Sequence, residues 1–402
     1  MLGVVSFLTD LSSEMIYPLL PVFFTGLVSP AAAAVYIGLM DGIAESTSSL
    51  LKIYAGRLSD KLGTRKPLAL AGYALSGIAR PLMALAAVGW QVIGLRFLDR
   101  VGKGVRTSPR DALLSESVPP EVRGLAFSFH RLMDHAGAIC GPLVAMVVLY
   151  AALGKSLIWQ QGNSSAGPEE MSALRWLFAA ALLPGIAATF VLWRYVKDTP
   201  TRASEDDKRP AVADRESLKL PRRFYHFLAA VTLFTLGNSS DLFLIFYALT
   251  RFELGLGWVI LLWVILHLSK IVFSLPGGSL SDRVSRKTAI MIGWIIYVGV
   301  YLAMPYGTEL WMTTALLIVY GAYYGMTEGA ERALVADFVT AERRGKAYGY
   351  YHGAVGLAAL PASLLFGVLW ATIGPRIAFL IGASLAAGAL ALLVFCLRPA
   401  RD

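Results

Sequence analysis

Charge is what this 402-residue sequence has least of. Asp, Glu, Lys and Arg make up 16% of it, against about 25% in a soluble domain. With 56% hydrophobic residues and a mean hydropathy of +0.60, the chain falls in the membrane class. Cysteine is nearly absent. Cys140 and Cys396 both lie in apolar stretches, so neither a disulfide framework nor a thiolate metal site follows from them. No nucleophile–base signature, phosphate loop or zinc motif occurs, which leaves nothing that reads as an enzyme or calls for a cofactor. The start, Met1 to Phe7, lacks the basic n-region of a signal peptide, and its apolar pattern continues to about Val28. It reads as a first span, short at its cytoplasmic end, as it would be if a few native residues preceded Met1.

What is present is a succession of apolar windows, each near the roughly 20 residues needed to cross a bilayer. They fall at about 1–28, 33–56, 67–88, 90–111, 124–151 and 174–196, then at 224–249, 257–280, 288–306, 310–333, 347–371 and 376–397. The expected fold class is an all-α integral membrane protein of about twelve spans. The net charge of +9 is read as loop charge rather than a nucleic-acid footprint. Arg57, Lys61, Arg65 and Lys66 follow the second window, Arg283, Arg286 and Lys287 the eighth, and Arg343, Arg344 and Lys346 the tenth. The loops near 29–33, 87–90 and 306–309 contain no Lys or Arg. The basic loops, and with them both termini, are expected to be cytoplasmic. A polar loop over about 152–173 then faces outside, and 197–223 is a hydrophilic connector between residues 1–196 and 224–402.

The two halves repeat one another. Gly56-Arg57-Leu58-Ser59-Asp60-Lys61 returns as Gly278-Ser279-Leu280-Ser281-Asp282-Arg283, and Arg123-Gly124 returns as Arg344-Gly345, at offsets of 222 and 221 positions. Ser12-Ser13-Glu14 returns as Ser239-Ser240-Asp241 at an offset of 227. Two parallel six-helix repeats are the architecture of a large class of secondary transporters, whose substrate sits near the midplane between the halves.

The residues 56–66 resemble the loop motif between the second and third helices of the major facilitator superfamily, with an extra Thr64; the copy at 278–287 is degenerate, with Ser285 in place of Gly63. Arg96 to Gly104 resembles the family's fourth-helix motif, departing from it at Asp99 and Arg100. Gly137 to Pro142 resembles the fifth-helix motif associated with antiporters, without its trailing Gly pair, since Ala145 and Met146 stand there. The resemblance spans nearly the whole chain. It implies that Gly56, Asp60, Arg65, Arg96 and Asp282 belong to a cytoplasmic gate that latches the halves, and it fixes the fold far better than the substrate.

Ionisable residues inside a span are costly and are functional candidates by default. Asp10 and Glu14, like Asp41 and Glu45, are four apart and share a helix face. Two carboxylates on one desolvated face do not both ionise cheaply, which suits proton coupling. Glu14, Asp10, Asp134 and Asp241 are the proton-coupling candidates; Glu45 could equally pair with Lys52. The candidate substrate cavity comprises Arg100, Asp41, Glu45, Arg131, His135, Asn238, His267 and Lys270. Arg96, Arg100, Lys103 and Arg110 form one stripe, read either as a positive cavity wall or as a set neutralised by Glu14, Asp99 and Asp134. Glu328, Glu331 and Arg332 lie near a helix end and are expected to form a gate salt bridge.

The expected function is secondary transport of a small solute, as proton-coupled efflux by antiport in a bacterial inner membrane, with the proton gradient as energy source and a single copy sufficing. A symporter importing an anionic or zwitterionic solute is the alternative. A divalent-metal carrier built on His130, His135, His267, His352 and Asp134, or a non-transporting sensor, are the remote ones.

Overall fold

The computed structural model describes residues 1–62, 64–118, 123–158, 166–198, 220–339 and 344–396. Most of the connector expected at 197–223 lies outside the described residues, as do the side chains of Asp60 and Asp282. Among the described residues, the helices make twelve spans in two sets of six.

In the first half, α1 (Leu2–Glu14) and α2 (Leu20–Thr25) form one broken span, followed by α3 (Pro30–Leu62), α4 (Lys66–Leu82), α5 (Gly89–Glu116) and α6 (Arg123–Ile158). The sixth span is α7 (Pro168–Ala180) continued by α8 (Leu182–Tyr195). In the second half, α9 (Arg222–Gly237) and α10 (Leu242–Phe252) form another broken span. It is followed by α11 (Leu256–Arg283), α12 (Arg286–Ala303), α13 (Leu310–Asp337), α14 (Arg344–Thr372) and α15 (Pro375–Cys396). Within the polar loop expected over 152–173, α6 breaks at Gly154, where φ is 72°, before a last turn to Ile158, and α7 begins at Pro168.

Eight of these spans are long and apolar enough to cross a membrane by composition alone. The first, second, fourth and tenth are not among them. Three of these hold Asp10 and Glu14, Asp41 and Glu45, or Arg96 to Arg110, and the fourth holds the Glu328–Arg332 group. Polar side chains are tolerated there because they face protein or a cavity rather than lipid.

The first window, expected as a continuous helix, is broken, and so is the seventh, where the polar run Gly237 to Ser240 interrupts the apolar sequence. After Glu14 the backbone tightens into a 3-10 turn at Tyr17–Leu19, and Pro18 and Pro21 withhold the N–H groups that would continue the ladder. In the seventh span Asn238 is extended and the helix restarts at Leu242. The freed backbone is satisfied locally, as a membrane interior requires. Tyr297 donates to Gly237 O at 2.9 Å, and Ser240 Oγ accepts from Leu242 N at 3.2 Å.

The halves meet along α3 and α14. A Cβ on Gly38 would stand 2.3 Å from Ser363 O, on Gly42 2.8 Å from Leu360 Cα, and on Gly367 2.6 Å from Ala34 O. Ser46 Oγ donates to Gly356 O at 2.5 Å. Small residues let the two backbones touch from Ala34 to Ser49, about 22 Å of helix. On the same side of the molecule α2 is buried from Leu20 to Thr25 and α10 from Leu242 to Leu249. The end remote from the basic loops is therefore sealed.

Candidate functional site

Beyond Ser49 the halves separate around a cavity of 360 Å³, walled by α1, α3, α4, α5 and α6 of the first half and by α11 and α13 of the second. Its wall is mainly polar. Thr9 and Asp10 come from α1, and Lys103, Arg106 and Arg110 from α5. Arg131, Asp134 and His135 come from α6, and His267, Lys270 and Tyr324 from the second half. Glu328 and Arg332 reach it near the basic-loop end, where their side chains are 38% and 42% exposed, so the cavity opens to that side.

Asp10, Asp134, Arg131, His135, His267 and Lys270, six of the candidates from the sequence, are thus brought together. Asp134 accepts from the Ser6 hydroxyl and lies 3.2 Å from His130 Nδ1. Lys270 forms an ion pair with Asp241, whose other oxygen accepts from Tyr320 OH at 2.7 Å. The Lys270 ammonium also stands 4.3 Å over the Tyr324 ring. His267 is held by its ring nitrogen, 3.0 Å from Trp263 O.

The candidate acids Glu14, Asp41 and Glu45 of the first half lie outside this wall. Glu14, the last residue of α1, accepts from Trp263 Nε1 at 3.1 Å. Tyr17, in the turn that follows, donates to Asp41 at 2.7 Å and packs edge-on against Trp263 at 5.3 Å. Glu45 accepts from Ser49 at 3.3 Å. Asn238, at the break in the seventh span, donates to Tyr323 OH at 3.0 Å.

Arg100 was placed in the cavity by its stripe, but the stripe divides. Lys103 and Arg110 line the cavity, whereas Arg96 and Arg100 turn to Asp99. Asp99, buried, receives Arg80 at 2.8 Å and Arg96 at 3.0 Å, and Arg100 lies at 3.9 Å. Arg96 also stacks 4.4 Å over Tyr17. It sits two turns from the start of α5, at the opposite end from the basic loops, so its place in a cytoplasmic gate is corrected to a buried charge cluster.

The other gate residues are also redistributed. Arg332 pairs with Glu328 one turn away in its own helix at 2.8 Å, so the bond does not tie the halves. Glu331 turns inward, accepting from Trp294 at 3.2 Å and Tyr351 at 2.8 Å. A Cβ on Gly56 would make only an ordinary 3.5 Å contact with Ser108; the tight approach of α3 to α5 is at Gly104, where a Cβ would meet Leu51 Cβ at 2.6 Å. Arg65 is buried and donates to Ser59 at 2.9 Å. Both its backbone N–H and that of Lys66 donate to Asp198 at 3.2 Å. Among the described residues no three His, Cys, Asp or Glu side chains converge as metal ligands, and the metal-carrier arrangement is not assembled.

Three contributors do not stand out in the reading of the sequence. Arg106 lies three residues from Lys103 and four from Arg110, so the helical spacing could have found it. Arg80 is a lone arginine in an apolar span, itself a flag. Trp263 has no local signal, because a packing partner far along the chain selects it.

A sequence model of the Major Facilitator Superfamily matches residues 2–269 and 253–402. The chain belongs to that superfamily. An uncharacterized transporter of this superfamily type from Methanocaldococcus jannaschii is 32% identical, covering 98% of this chain and 94% of that protein. The multidrug resistance protein MdtH of Cronobacter sakazakii is 30% identical over a shorter stretch, 34% of this chain and 33% of its own. Among solved structures, a variant of the nucleoside transporter NupG superposes with a TM-score of 0.77 at 13% identity, over 99% of both chains. A D-xylose–proton symporter superposes with 0.74 at 15% identity, over 98% of this chain and 95% of that one. These likenesses establish a facilitator fold of twelve spans; at such identities they say nothing of the cargo.

Proposed function

We propose that the chain is a proton-coupled exporter that exchanges protons for a small solute across a bacterial inner membrane, its termini and basic loops on the cytoplasmic side. One half rocks against the other around the cavity, and a single copy suffices. The observation that carries this reading is the pair of broken spans. The repeat-related acids Glu14 and Asp241 sit at the two breaks, one bound across the halves to Trp263 and the other held within its own half by Lys270 and Tyr320. A carboxylate that changes partner when the halves move binds a proton with different affinity in the two states, which is what coupling requires. Asp10 and Asp134 at the cavity wall offer further proton positions.

Exchange rather than co-transport is supported by the fifth span. A Cβ on Gly137 would stand 2.5 Å from Phe7 O and on Gly141 2.8 Å from Leu11 O, so the segment resembling the antiporter motif clamps α6 onto α1. The similarity of 34% of this chain to a multidrug resistance protein supports export, not the mode of coupling. Symport of an anion is the second reading, favoured by the cations of the cavity wall.

The test uses purified transporter in liposomes with a pH-sensitive dye inside. Addition of transported solute outside makes the lumen alkaline under exchange and acidic under symport. No solute-dependent pH change with any transported solute would refute proton coupling.

A further inference from the structure

We infer that the solute is a small dianion, bearing carboxylate or phosphate groups, held between Lys103, Arg106 and Arg131 of the first half and Lys270 of the second. The inference rests on the transport reading and adds the class of cargo.

The cavity wall carries more positive than negative charge. Arg110 pairs with Asp111, Arg332 with Glu328 and Lys270 with Asp241. Four wall cations have no carboxylate at ion-pair distance among the described residues: Lys52, Lys103, Arg106 and Arg131. Against them stand two further wall carboxylates, Asp10 and Asp134. Asp134 is already engaged by Ser6 and by the neighbouring His130. The wall therefore holds two more positive than negative charges.

The deeper carboxylates do not cancel this surplus by pairing. Glu14, Asp41 and Glu45 are bound by Trp263, Tyr17 and Ser49 and make no ion pair with a wall cation, although the Glu45 carboxylate is near enough to act on Lys103 and Lys52. Arg80, Arg96 and Arg100 share Asp99 away from the cavity, so they draw no acid from the wall and would themselves repel a cationic solute. Like charges gathered in a space of low dielectric repel, and a dianion of matching size relieves that repulsion.

The geometry of the donors suits oxyanions. Arg106 is fixed by a 2.5 Å bond from Nη1 to Ser76 and by its stack 4.6 Å over Tyr73, which orients the planar guanidinium. Arg131 is exposed to the open mouth and presents a second fork. Lys270 links binding to coupling: an anion that draws its ammonium away from Asp241 leaves that acid free to take a proton. The volume of 360 Å³ is at the small end of the ~300–1,000 Å³ usual for ligand sites, which suits a compact metabolite.

The test titrates the full chain in lipid nanodiscs by calorimetry with sulfate, phosphate at a pH where it is doubly charged, succinate and glycerol 3-phosphate, with acetate, glycerol and tetramethylammonium as counterparts. At least one dianion is expected to bind roughly tenfold or more tightly than every counterpart. Lys103→Gln and Arg131→Gln are each expected to weaken it about tenfold, and Lys103→Arg to restore most of the loss. Loss in Lys103→Arg equal to that in Lys103→Gln, with both variants folded, would remove the charge argument. Failure of all four dianions to bind, or tighter binding of a neutral or cationic counterpart, would overturn the inference. Uptake of the same panel into liposomes separates the two readings. A dianion that binds but never crosses leaves the ligand class standing and refutes transport. A neutral or cationic solute that crosses while the dianions do not refutes the class and keeps transport.

Discussion

The carboxylate of Glu14 and the indole N–H of Trp263, 249 positions apart in the chain, meet at 3.1 Å across the boundary between the two halves. The acid closes α1, and the tryptophan lies one turn from His267 and two from Lys270 on α11. One face of α11 therefore touches the break of the first span through Trp263 and the break of the seventh through Lys270.

Trp263→Phe keeps the edge contact with Tyr17 but removes the donor. A carboxylate left one hydrogen bond short costs about 1–3 kcal/mol, which moves a two-state equilibrium roughly 5- to 150-fold. The sealed end is expected to open more often, read as faster thiol labelling of Phe24→Cys in the Trp263→Phe background. An unchanged labelling rate would mean that this bond does not hold the end shut.

Asp241 and Lys270 form a pair whose single removals are not independent. Asp241→Asn or Lys270→Gln alone strands a half-buried charge without its partner, at a cost of about 1–3 kcal/mol. The double variant is expected to lose less than the two single losses added together, by the ~0.5–3 kcal/mol of coupling seen for contacting residues. Additive losses in the melting curves would show that the pair is not coupled.

Asp99→Asn leaves Arg80, Arg96 and Arg100 without their shared counter-charge. Folded yield and melting temperature are expected to fall sharply, by about 3–5 kcal/mol. Wild-type stability in this variant would contradict the cluster.

The seam between α3 and α14 is expected to be sensitive to single methyl groups. Gly38→Ala drives a Cβ into Ser363 O and is expected to cost about 1–3 kcal/mol or to force the halves apart. Gly94→Ala, where nothing lies within 4 Å, is the matched control and is expected to be neutral or stabilising. Equal melting temperatures for the two would count against backbone contact at Gly38.

The spans, the repeat and the family were legible because each is written in local pattern: apolar length, basic loops and two copies of one loop motif. The acids of the cavity were legible for a related reason, since an ionisable residue in an apolar run stands out. What was not legible depends on distant partners. Arg96 and Arg100 share a stripe with Lys103, yet Asp99 and Arg80, on two different helices, divide that stripe into a buried cluster and a cavity wall. Glu328 and Arg332 have the position of a gate, but their four-residue spacing closes the bond within α13. The break in the seventh span was visible as Gly237 to Ser240. The break after Glu14 was hidden, because Pro18 and Pro21 stand among apolar residues that fill a window of spanning length.

Distances between spin labels across each end of the molecule read out whether the two ends open alternately. With Cys140 and Cys396 replaced, one pair is placed at Leu62→Cys and Val284→Cys near the basic loops, the other at Leu85→Cys and Trp311→Cys near the sealed end; all four positions are exposed. On changing pH, and on adding a transported solute, the first distance is predicted to shorten as the second lengthens, and Glu14→Gln is predicted to abolish the response to pH. Two distances that stay fixed, or that lengthen and shorten together, would contradict the account.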